Sequence, residues 1–449
     1  MAPTNGCRSR TSVAVSAVWS PCCARCPPDT SNDVLSAKFP LQFAGALALR
    51  ETSHSFRRGT VLRVGVGLSA ERDSERAASE AAEMALQSAG LTKADAVLVF
   101  ATTPHGPGFT RVTRTVGAAC GTRAVVGCSA AGVLAGDEEV EDGPGIALLA
   151  LAGDVSARHF FVPDVRGRSE TVADEIAAIV DREPRPPAGG TRLLAIFTDS
   201  YNVEPGPLLG RLTSRLPGLH VVGGGASEDG SVGELSVFAG DASSSNAVSG
   251  LLLSGDFRAS VDVAHAVRRV GAVRRVTRAA GRVIFELDGR PAYEAFSAVV
   301  PGSLLADPRR ALAVVLAAIG TQDDFVVRHL TGIDPSGGAV AVAGDVHDGE
   351  QLFFGVRDPN AAREQLQQSL QHLAVAWEPV SPAGALYVNC IGRGRRFYGV
   401  PGLDTAYIRQ HLGALPVAGF FSGAEIAPGG GGTQLHQYTG VLTVLGPRA

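Results

Sequence analysis

The chain is poor in several features that mark large classes of protein. Only Lys38 and Lys93 are lysines among its 40 basic residues, and the formal net charge at pH 7 is -4. A chain with this balance has no general attraction to nucleic acid or to anionic lipid. The arginine excess is typical of a GC-rich genome rather than of phosphate recognition. The longest apolar run, near residues 311–319, is shorter than the about 20 residues that a membrane-spanning helix needs. We therefore expect no nucleic-acid partner and no membrane partner.

Cysteine is scarce and shows no pattern of a metal centre. The seven cysteines are Cys7, Cys22, Cys23, Cys26, Cys120, Cys128 and Cys390. Cys23 and Cys26 have CxxC spacing, but no second pair and no nearby histidine would complete a tetrahedral zinc site. The cysteines beyond residue 26 are odd in number, which is typical of reduced thiols in a reducing compartment. The sequence thus predicts no metal, no cofactor and a cytoplasmic location.

Residues 1–58 differ in composition from the rest of the chain. They are rich in serine, arginine, proline and cysteine, poor in acids, and without a sustained hydrophobic period. Two interpretations compete. One is a transit peptide, which would place the protein in an organelle, and the other is a disordered or mis-called extension. The arginine bias favours the second, because it is typical of a bacterial genome. The chain is 45% hydrophobic and 19% charged, so the remainder should form globular domains with sizeable cores.

One order of predicted elements, strand–helix–strand–strand, occurs three times. The copies lie at residues 96–151, 193–253 and 385–445. Each has a glycine at the end of its second strand (Gly127, Gly223 and Gly419), which follows the end of the first strand by 27, 26 and 30 positions. Nearly constant spacing argues for a repeated unit, although Val-Val-Gly is common in α/β proteins and chance is the alternative. We predict an α/β fold with repeated strand–helix–strand–strand units in two halves.

Different material lies between the second and third copies. Alternating hydrophobicity predicts a hairpin, and a helix follows from Pro291, since proline is favoured at the first helical position. A second helix is predicted at 308–319 and a long amphipathic helix at 360–376. The strands of the hairpin and of the meander after it are predicted at 270–277, 282–287, 325–330, 339–343 and 352–356. The insert is therefore expected to be an antiparallel hairpin and meander.

The C-terminal copy carries the strongest candidate site. Its two strand ends read Asn389-Cys390-Ile-Gly392-Arg393 and Gly419-Phe420-Phe-Ser422-Gly-Ala-Glu425. In open α/β sheets, ligands bind at such carboxyl ends of strands. A nearby cation or helix start lowers a thiol pKa below about 8.5, so Cys390 is a candidate nucleophile or ligand contact. The alternative is a small buried hydrophobic residue. An enzyme would be a thiol-dependent hydrolase or transferase with Cys390 as nucleophile and His436 as base.

Arg393 and Glu425 bring opposite charges to this site. A guanidinium binds a carboxylate through two parallel hydrogen bonds, and a carboxylate receives an ammonium group. The pair would therefore match the two ends of an amino acid. The alternative, which we favour slightly, is a salt bridge between Arg393 and Glu425. Asp229 holds the place of Glu425 in the second copy, and Val133 holds it in the first.

These motifs resemble those of the FIST family, whose two parts are called FIST-N and FIST-C. The family's C-terminal signature is Cys-x-Gly-Arg followed by Gly-Phe-x-x-x-Gly-Glu-Ile, and Ala424 stands here where glycine is expected. The turn at Cys128 and Ser129 is similar to a Gly-Cys-Ser turn of FIST-N. The resemblance runs from about residue 61 to the C-terminus. It places FIST-N at 59–257 and FIST-C at 258–449.

The resemblance implies a sensor of a small polar ligand in signal transduction, with amino acids as the suspected ligand class. The residues expected to bind the ligand are Asn389, Cys390, Gly392, Arg393, Gly419, Phe420, Ser422, Glu425, Cys128 and Ser129. No kinase, receiver or DNA-binding segment is visible, so the output would pass through an unidentified signalling protein. The expected mechanism is closure of the two halves on the ligand.

Overall fold

The computed structural model describes residues 61–448. The predicted extension at residues 1–58, with the CxxC pair of Cys23 and Cys26, lies outside the described residues. Strands and helices alternate along the described chain and form mixed sheets covered by helices, which confirms the predicted α/β class.

The elements of the first half lie close to the positions that the hydrophobic pattern predicts. The strands are β1 (Arg63–Ser69), β2 (Ala96–Thr102), β3 (Val125–Ala130), β4 (Val133–Ala135), β5 (Glu138–Val140), β6 (Ile146–Ala152), β7 (Val155–Pro163), β8 (Thr191–Thr198), β9 (His220–Gly225), β10 (Val237–Ala239), β11 (Ala242–Ser244) and β12 (Ala247–Gly255). The helices are α1 (Ser74–Ser88), α2 (Phe109–Cys120), α3 (Ser169–Arg182) and α4 (Pro205–Arg215). The short hairpins β4–β5 and β10–β11 carry too few residues for a period to be read from the sequence.

The second half contains the insert and the C-terminal copy. The strands are β13 (Arg258–His265), β14 (Val267–Ala280), β15 (Val283–Leu287), β16 (Arg290–Pro291), β17 (Val315–Gly320), β18 (Phe325–Asp334), β19 (Ala339–Val342), β20 (Gln351–Arg357), β21 (Gly384–Cys390), β22 (Val417–Ser422), β23 (Glu425–Gly429), β24 (Gly432–His436) and β25 (Thr439–Gly446). The helices are α5 (Ala292–Val299), α6 (Gly302–Leu305), α7 (Pro308–Val314), α8 (Pro359–Trp377), α9 (Arg395–Tyr398) and α10 (Leu403–Leu412).

Three six-stranded sheets share one strand order. Sheet 1 is β1-β6-β2-β3-β10-β11, sheet 2 is β7-β12-β8-β9-β23-β24, and sheet 3 is β13-β25-β21-β22-β4-β5. In each sheet two parallel strands lie side by side, and the two-stranded hairpin at one edge comes from a different predicted copy. The predicted repeat of a strand–helix–strand–strand unit stays a prediction, because each sheet takes its edge hairpin from another copy. The exchanged hairpins also join the two predicted halves through β-ladders, such as Ala418 with Ala135.

The three anchor glycines occupy equivalent places in these sheets. Gly127, Gly223 and Gly419 each lie on the second of the two parallel strands. A Cβ atom at these positions would lie 1.6, 1.9 and 1.7 Å from a backbone carbonyl oxygen of the first strand. The carbonyl oxygens belong, in the same order, to Val99, Ile196 and Tyr387. Glycine is required here because the two backbones approach too closely for any side chain.

The inner faces of the three sheets pack on one central core. Phe100 of sheet 1, Phe197 of sheet 2 and Phe420 of sheet 3 meet there, with ring centroids 4.5–5.8 Å apart. The helices cover the outer faces and bury three further clusters, one against each sheet. Each strand of the sheet centres is therefore buried on both faces, which explains its continuous apolar sequence.

The insert forms a closed antiparallel barrel. Its strands pair in the order β14-β20-β17-β18-β19-β15, and β15 pairs with β14 to close the ring. Phe354 of β20 and Phe296 of α5 pack together in its core, and α5–α7 cover one side. We call this element (residues 267–357) the barrel. The predicted hairpin and meander are present in it.

One predicted helix of the barrel is wrong. The sequence predicts a helix at 308–319, whereas α7 ends at Val314 and the remaining residues form β17. Strand β17 is buried between β18 and β20, so it has no polar face. Periodicity cannot separate such a strand from a buried helix, because neither shows a polar side in its sequence.

Candidate ligand site at the ends of the C-terminal parallel strands

The candidate site lies where β21 and β22 end side by side. Cys390 and Ser422, the last residues of these strands, are register partners, and Glu425 begins the hairpin β23–β24 three residues later. The three predicted functional side chains are almost inaccessible: Cys390 is 4% exposed, Arg393 1% and Glu425 0%. Charged groups at this depth need partners, because burial removes their hydration.

The partner of Arg393 is Asp404, and the predicted salt bridge between Arg393 and Glu425 is wrong. Nε of Arg393 lies 3.0 Å from Oδ2 of Asp404, and Nη2 lies 3.1 Å from Oδ1. Nη1 donates to the carbonyl oxygen of Ala264 at 3.2 Å. Asp404 lies in the first turn of α10, which packs behind the turn that carries Arg393. Because both sides of the guanidinium fork are occupied, Arg393 is not free to bind the carboxylate of a ligand.

Two further groups hold Asp404 in place. The hydroxyl of Tyr387 donates to Oδ2 at 3.0 Å, and Nδ2 of Asn389 donates to the same atom at 3.1 Å. The buried ion pair is thus surrounded by hydrogen bonds, which a buried pair needs to offset its desolvation. The Oδ1 atom of Asn389 has no partner.

Glu425 is held from one side only. Its Oε2 accepts from the backbone N of Thr439 at 3.2 Å and from Oγ1 of Thr439 at 2.8 Å, while Oε1 has no hydrogen-bond partner. Burial raises the pKa of Glu425 to about 8, although the bonds from Thr439 and the nearby thiol of Cys390 act in the opposite direction. At pH 7 this carboxyl group is therefore mainly protonated and neutral.

Two neutral histidines lie beside Glu425. His436 is its register partner across the hairpin and is 2% exposed. Neither ring nitrogen makes a hydrogen bond of good geometry, although the backbone of Ala427 lies near enough to favour the charged ring. The ring of His265, at the end of β13, lies 6.1 Å from that of His436 and stacks on Phe325 at 4.0 Å, and its Nδ1 has no partner. Burial lowers the pKa of His436 to about 4 and that of His265 to about 3. Both rings are uncharged at neutral pH.

We call Asn389, Glu425, His436 and His265 the polar cluster. Five of its buried polar atoms lack a partner within residues 61–448: Asn389 Oδ1, Glu425 Oε1, His436 Nδ1 and Nε2, and His265 Nδ1. Each such atom costs about 1–3 kcal/mol relative to a bonded one. Native proteins leave few buried polar atoms unpaired, so a concentration of them at one place points to a missing polar partner.

The thiol of Cys390 differs from the sequence-based expectation. Burial is the main cause that raises its pKa far above the usual range, and the neighbouring Glu425 raises it further. The lowered thiol pKa that nearby arginines suggested is therefore wrong, since Arg393 is neutralised by Asp404. A thiol in this state is a poor nucleophile, because the thiolate is the reactive form.

We expect Cys390 to resist alkylation in the folded protein. Iodoacetamide at pH 7.5 should modify it at least about tenfold more slowly than in the urea-unfolded chain, because little thiolate forms and the sulfur is covered. Peptide mass spectrometry of timed samples measures the rate. Cys120, also buried and with a pKa raised to about 11, is the internal reference. Equal rates for folded and unfolded Cys390 would contradict this assignment.

The structure gives the other predicted site residues packing and backbone roles. Gly392 is half-buried beneath the ring of Tyr438, Gly419 lies under a carbonyl group, and Phe420 packs in the central core. The hydroxyl of Ser422 donates to the carbonyl oxygens of Gly225 at 3.0 Å and Ala424 at 2.6 Å. That hydroxyl ties sheet 3 to sheet 2.

Cys128 and Ser129 lie on β3, in a different sheet from Cys390. Cys128 belongs to the apolar central core. The hydroxyl of Ser129 donates to the carbonyl oxygen of Ser227 at 3.2 Å and accepts from the backbone N of Ser236 at 3.0 Å. Their contacts are with the protein itself, and they are not part of the polar cluster.

Sequence reasoning missed Asp404 and His265. Asp404 lies eleven positions after Arg393, and its place near a helix start suggests a cap rather than an ion-pair partner. His265 ends β13, a strand whose residues are mostly half-buried and show no clear alternation. No local signal marks either residue, because both act through contacts with distant segments.

The geometry defines a class: an α/β protein with a buried, mainly neutral polar site at the carboxyl ends of parallel strands. Two family models match this chain. The FIST N domain model matches residues 95–290, and the FIST C domain model matches residues 292–428. The chain therefore belongs to the FIST family, as its motifs suggested. FIST domains are associated with sensory signal transduction and small-ligand binding.

Three proteins are similar to this chain: two relatives and one solved structure. An uncharacterized protein of Mycobacterium tuberculosis is 33% identical over 393 residues, which is 86% of this chain and 100% of the relative. An uncharacterized protein of Mycobacterium bovis is 33% identical over 395 residues, which is 86% of this chain and 99% of the relative. A solved cyanuric acid hydrolase is similar at 10% identity with a TM-score of 0.34, over 86% of this chain and all of that one.

The described residues show neither a membrane-spanning helix nor a metal-binding group of side chains. In the part of the chain from 61 to 448, no helix has the length and apolar character that crossing a bilayer requires. Over the same range, no group of three or more histidine, cysteine or acidic side chains is arranged to hold a metal ion.

Proposed function

We propose that this protein is a sensor that binds a small polar ligand, with an amino acid as the candidate, and transmits binding to a partner protein. The observation that carries the proposal is the polar cluster, in which five buried polar atoms lack a partner: two on His436, the register partner of Glu425, and one each on Glu425, Asn389 and His265. A polar ligand would supply the missing hydrogen bonds. The gain would be large, because each buried group currently bears the cost of desolvation without a partner.

An ammonium group fits the acceptors of the cluster. Oε1 of Glu425 and Oδ1 of Asn389 are both unpartnered. A cation beside Glu425 would favour its ionised form, so binding would release the proton that the carboxyl group holds below a pH of about 8. The affinity for an amine-bearing ligand should therefore rise with pH between about 6 and 8. The affinity rises rather than falls with pH because binding releases a proton, and a higher pH favours proton release.

The alternative of a thiol-dependent hydrolase or transferase has less support. Cys390 has a raised pKa, and burial holds His436 neutral with a pKa of about 4. A base of this kind has little capacity to take a proton from a thiol of such a high pKa. The sensor is the function that the arrangement of these groups favours.

In such a sensor the two halves stay joined, which differs from the expected closure of the two halves on the ligand. The hairpins exchanged between sheets would have to break for the halves to separate, for example at Ala418 and Ala135. The barrel, in contrast, contacts the site through side chains. His265 stacks on Phe325, and Tyr438 hydrogen-bonds with His329 at 3.0 Å. We propose that ligand binding shifts the barrel, since side-chain contacts rearrange at lower cost than ladders.

A thermal-shift screen of the purified chain against the twenty amino acids tests the proposal. At about 100-fold excess over the dissociation constant, a true ligand should stabilise the protein by about 2.7 kcal/mol. Glu425→Gln should lose most of this response and its dependence on pH, because glutamine cannot ionise. Asp229→Asn is the matched control, since Asp229 is exposed and holds the equivalent sequence position. No shift with any amino acid, or equal shifts in Glu425→Gln and wild type, would contradict the proposal.

A further inference from the structure

Two arginines of the barrel flank the polar cluster without a carboxylate partner. Arg357, at the end of β20, lies between the rings of Phe397 and Tyr438, with its guanidinium carbon 4.9 and 4.7 Å from their centroids. It donates to the carbonyl oxygen of Gly392, in the turn after Cys390, and its Nε has no partner. The two rings hold the planar guanidinium in one orientation beside the site.

Arg328 of β18 contacts the hairpin that carries Glu425 and His436. Its Nη1 donates to the carbonyl oxygens of Val327 and Leu435, both at 2.9 Å. Burial lowers its pKa to about 10, and Glu350 is the acid that acts against this effect. Leu435 adjoins His436, so this cation approaches the cluster through the hairpin β23–β24.

The charges around the cluster do not cancel. Asp404 neutralises Arg393, and Glu425 is mainly protonated at pH 7. Within the described residues, neither Arg328 nor Arg357 forms an ion pair, and their hydrogen bonds go to carbonyl oxygens. Two acids act on this region: Asp324 raises the pKa of His436, and Glu350 raises the pKa of Arg328. Glu350 thus offsets the charge of Arg328, whereas the printed partners of Arg357 are a carbonyl oxygen and two aromatic rings.

We propose that Arg357 binds a carboxylate group of the ligand, in the role that the sequence suggested for Arg393. A buried or half-buried cation is stable only with a compensating partner, and carbonyl oxygens supply dipoles but no charge. The planar fork of arginine matches the two oxygens of a carboxylate. Arg357 and Gly392, whose carbonyl oxygen accepts from it, are both half-buried, so this side of the site is partly open to solvent.

This inference rests on the proposed function and deepens it, because it orients the ligand. The carboxylate would lie toward the barrel, and the amino group would lie toward Glu425 and Asn389. Arg357 is the last residue of the barrel strand β20, so its binding would link the ligand directly to the barrel. A ligand contact of this kind gives the barrel different free energies in the bound and unbound states, which a sensor requires.

The test uses the purified full chain and sodium acetate as the probe, with sodium chloride at equal ionic strength as the reference. Acetate should raise the melting temperature of wild type, and its neutral isostere acetamide should not. Arg357→Gln should weaken acetate binding about tenfold or more, because a charge-assisted pair is lost. Arg328→Gln should weaken it less. Arg309→Gln, at an exposed site in α7, matches the loss of charge and should bind acetate like wild type.

Other outcomes separate the inference from the proposed function. Arg357→Lys keeps the charge but loses the fork, so an intermediate affinity supports the inference even if Arg357→Gln folds poorly. Equal acetate affinity in wild type and Arg357→Gln, or equal shifts with acetate and acetamide, would overturn it. If amino acids and their carboxamides bind wild type equally well, the sensor stands and the carboxylate site fails. If no amino acid binds but acetate binding requires Arg357, the carboxylate site stands and the amino-acid sensor fails.

Discussion

Gly419→Ala is expected to prevent sheet 3 from forming. The added Cβ would lie 1.7 Å from the carbonyl oxygen of Tyr387, far inside van der Waals contact. The obstructing atom is backbone in the adjacent parallel strand, so no side chain can move aside. We expect a loss of at least about 4–5 kcal/mol, which is the range of the most damaging single substitutions and approaches the total stability of many proteins. Urea unfolding followed by circular dichroism, or loss of soluble protein, would show it.

Gly210→Ala is the matched control for this substitution. Gly210 lies inside α4, is exposed, and has no atom within 4 Å of the position that its Cβ would take. Alanine should stabilise the helix there by about 0.5–1 kcal/mol, because glycine loses more backbone entropy on folding. The same change from glycine to alanine should thus lower the free energy of unfolding at position 419 and raise it at position 210. A Gly419→Ala protein with a wild-type urea midpoint would show that the strands can separate at no cost.

Arg393→Met should destabilise the protein by about 3–5 kcal/mol. The substitution keeps much of the side-chain volume but leaves Asp404 buried without its cation, 3.0 Å from the lost Nε. Breaking a buried ion pair costs this much because an uncompensated charge remains in a low-dielectric site. Chemical unfolding at pH 7 measures the change. Arg76→Gln, in the exposed pair with Glu80 at 2.9 Å, should leave the urea midpoint close to that of wild type, because solvent screens an exposed pair.

The double variant Arg393→Met/Asp404→Leu makes this prediction specific. It removes both charges, so it should cost less than the sum of the two single variants, with a coupling energy of about 2–3 kcal/mol. Tyr387 and Asn389 would lose their shared acceptor, so the double variant should remain below wild type in stability. If the stability loss of the double variant equals the sum of the losses of the two single variants, Arg393 and Asp404 do not stabilise each other.

The burial of the strands and the positions of the anchor glycines could be read from local sequence. A strand buried on both faces is apolar throughout, and β2, β8 and β21 show this pattern at the predicted places. The local sequence also led to the turn of Cys390 and Arg393 as the candidate site. These features follow from short segments, because burial on both faces and close backbone approach each restrict the residue types at single positions.

The partners within the site could not be predicted from the sequence. The guanidinium of Arg393 could have paired with Asp404, 11 positions later in the chain, or with Glu425, 32 positions later. The choice depends on where α10 packs. His265 and Arg357 reach the site from β13 and from the barrel, and neither residue lies in a motif. Such contacts arise from the arrangement of whole elements, which no local period encodes.

By itself, the sequence determined the α/β class, the family, the buried strands and the three positions that only glycine can occupy. Only the tertiary structure decided that the hairpins exchange between sheets, that Asp404 neutralises Arg393, and that the barrel brings Arg328 and Arg357 to the polar cluster. The physical reason is that a side chain's burial depends largely on its own segment, whereas its charge balance depends on every segment packed around it.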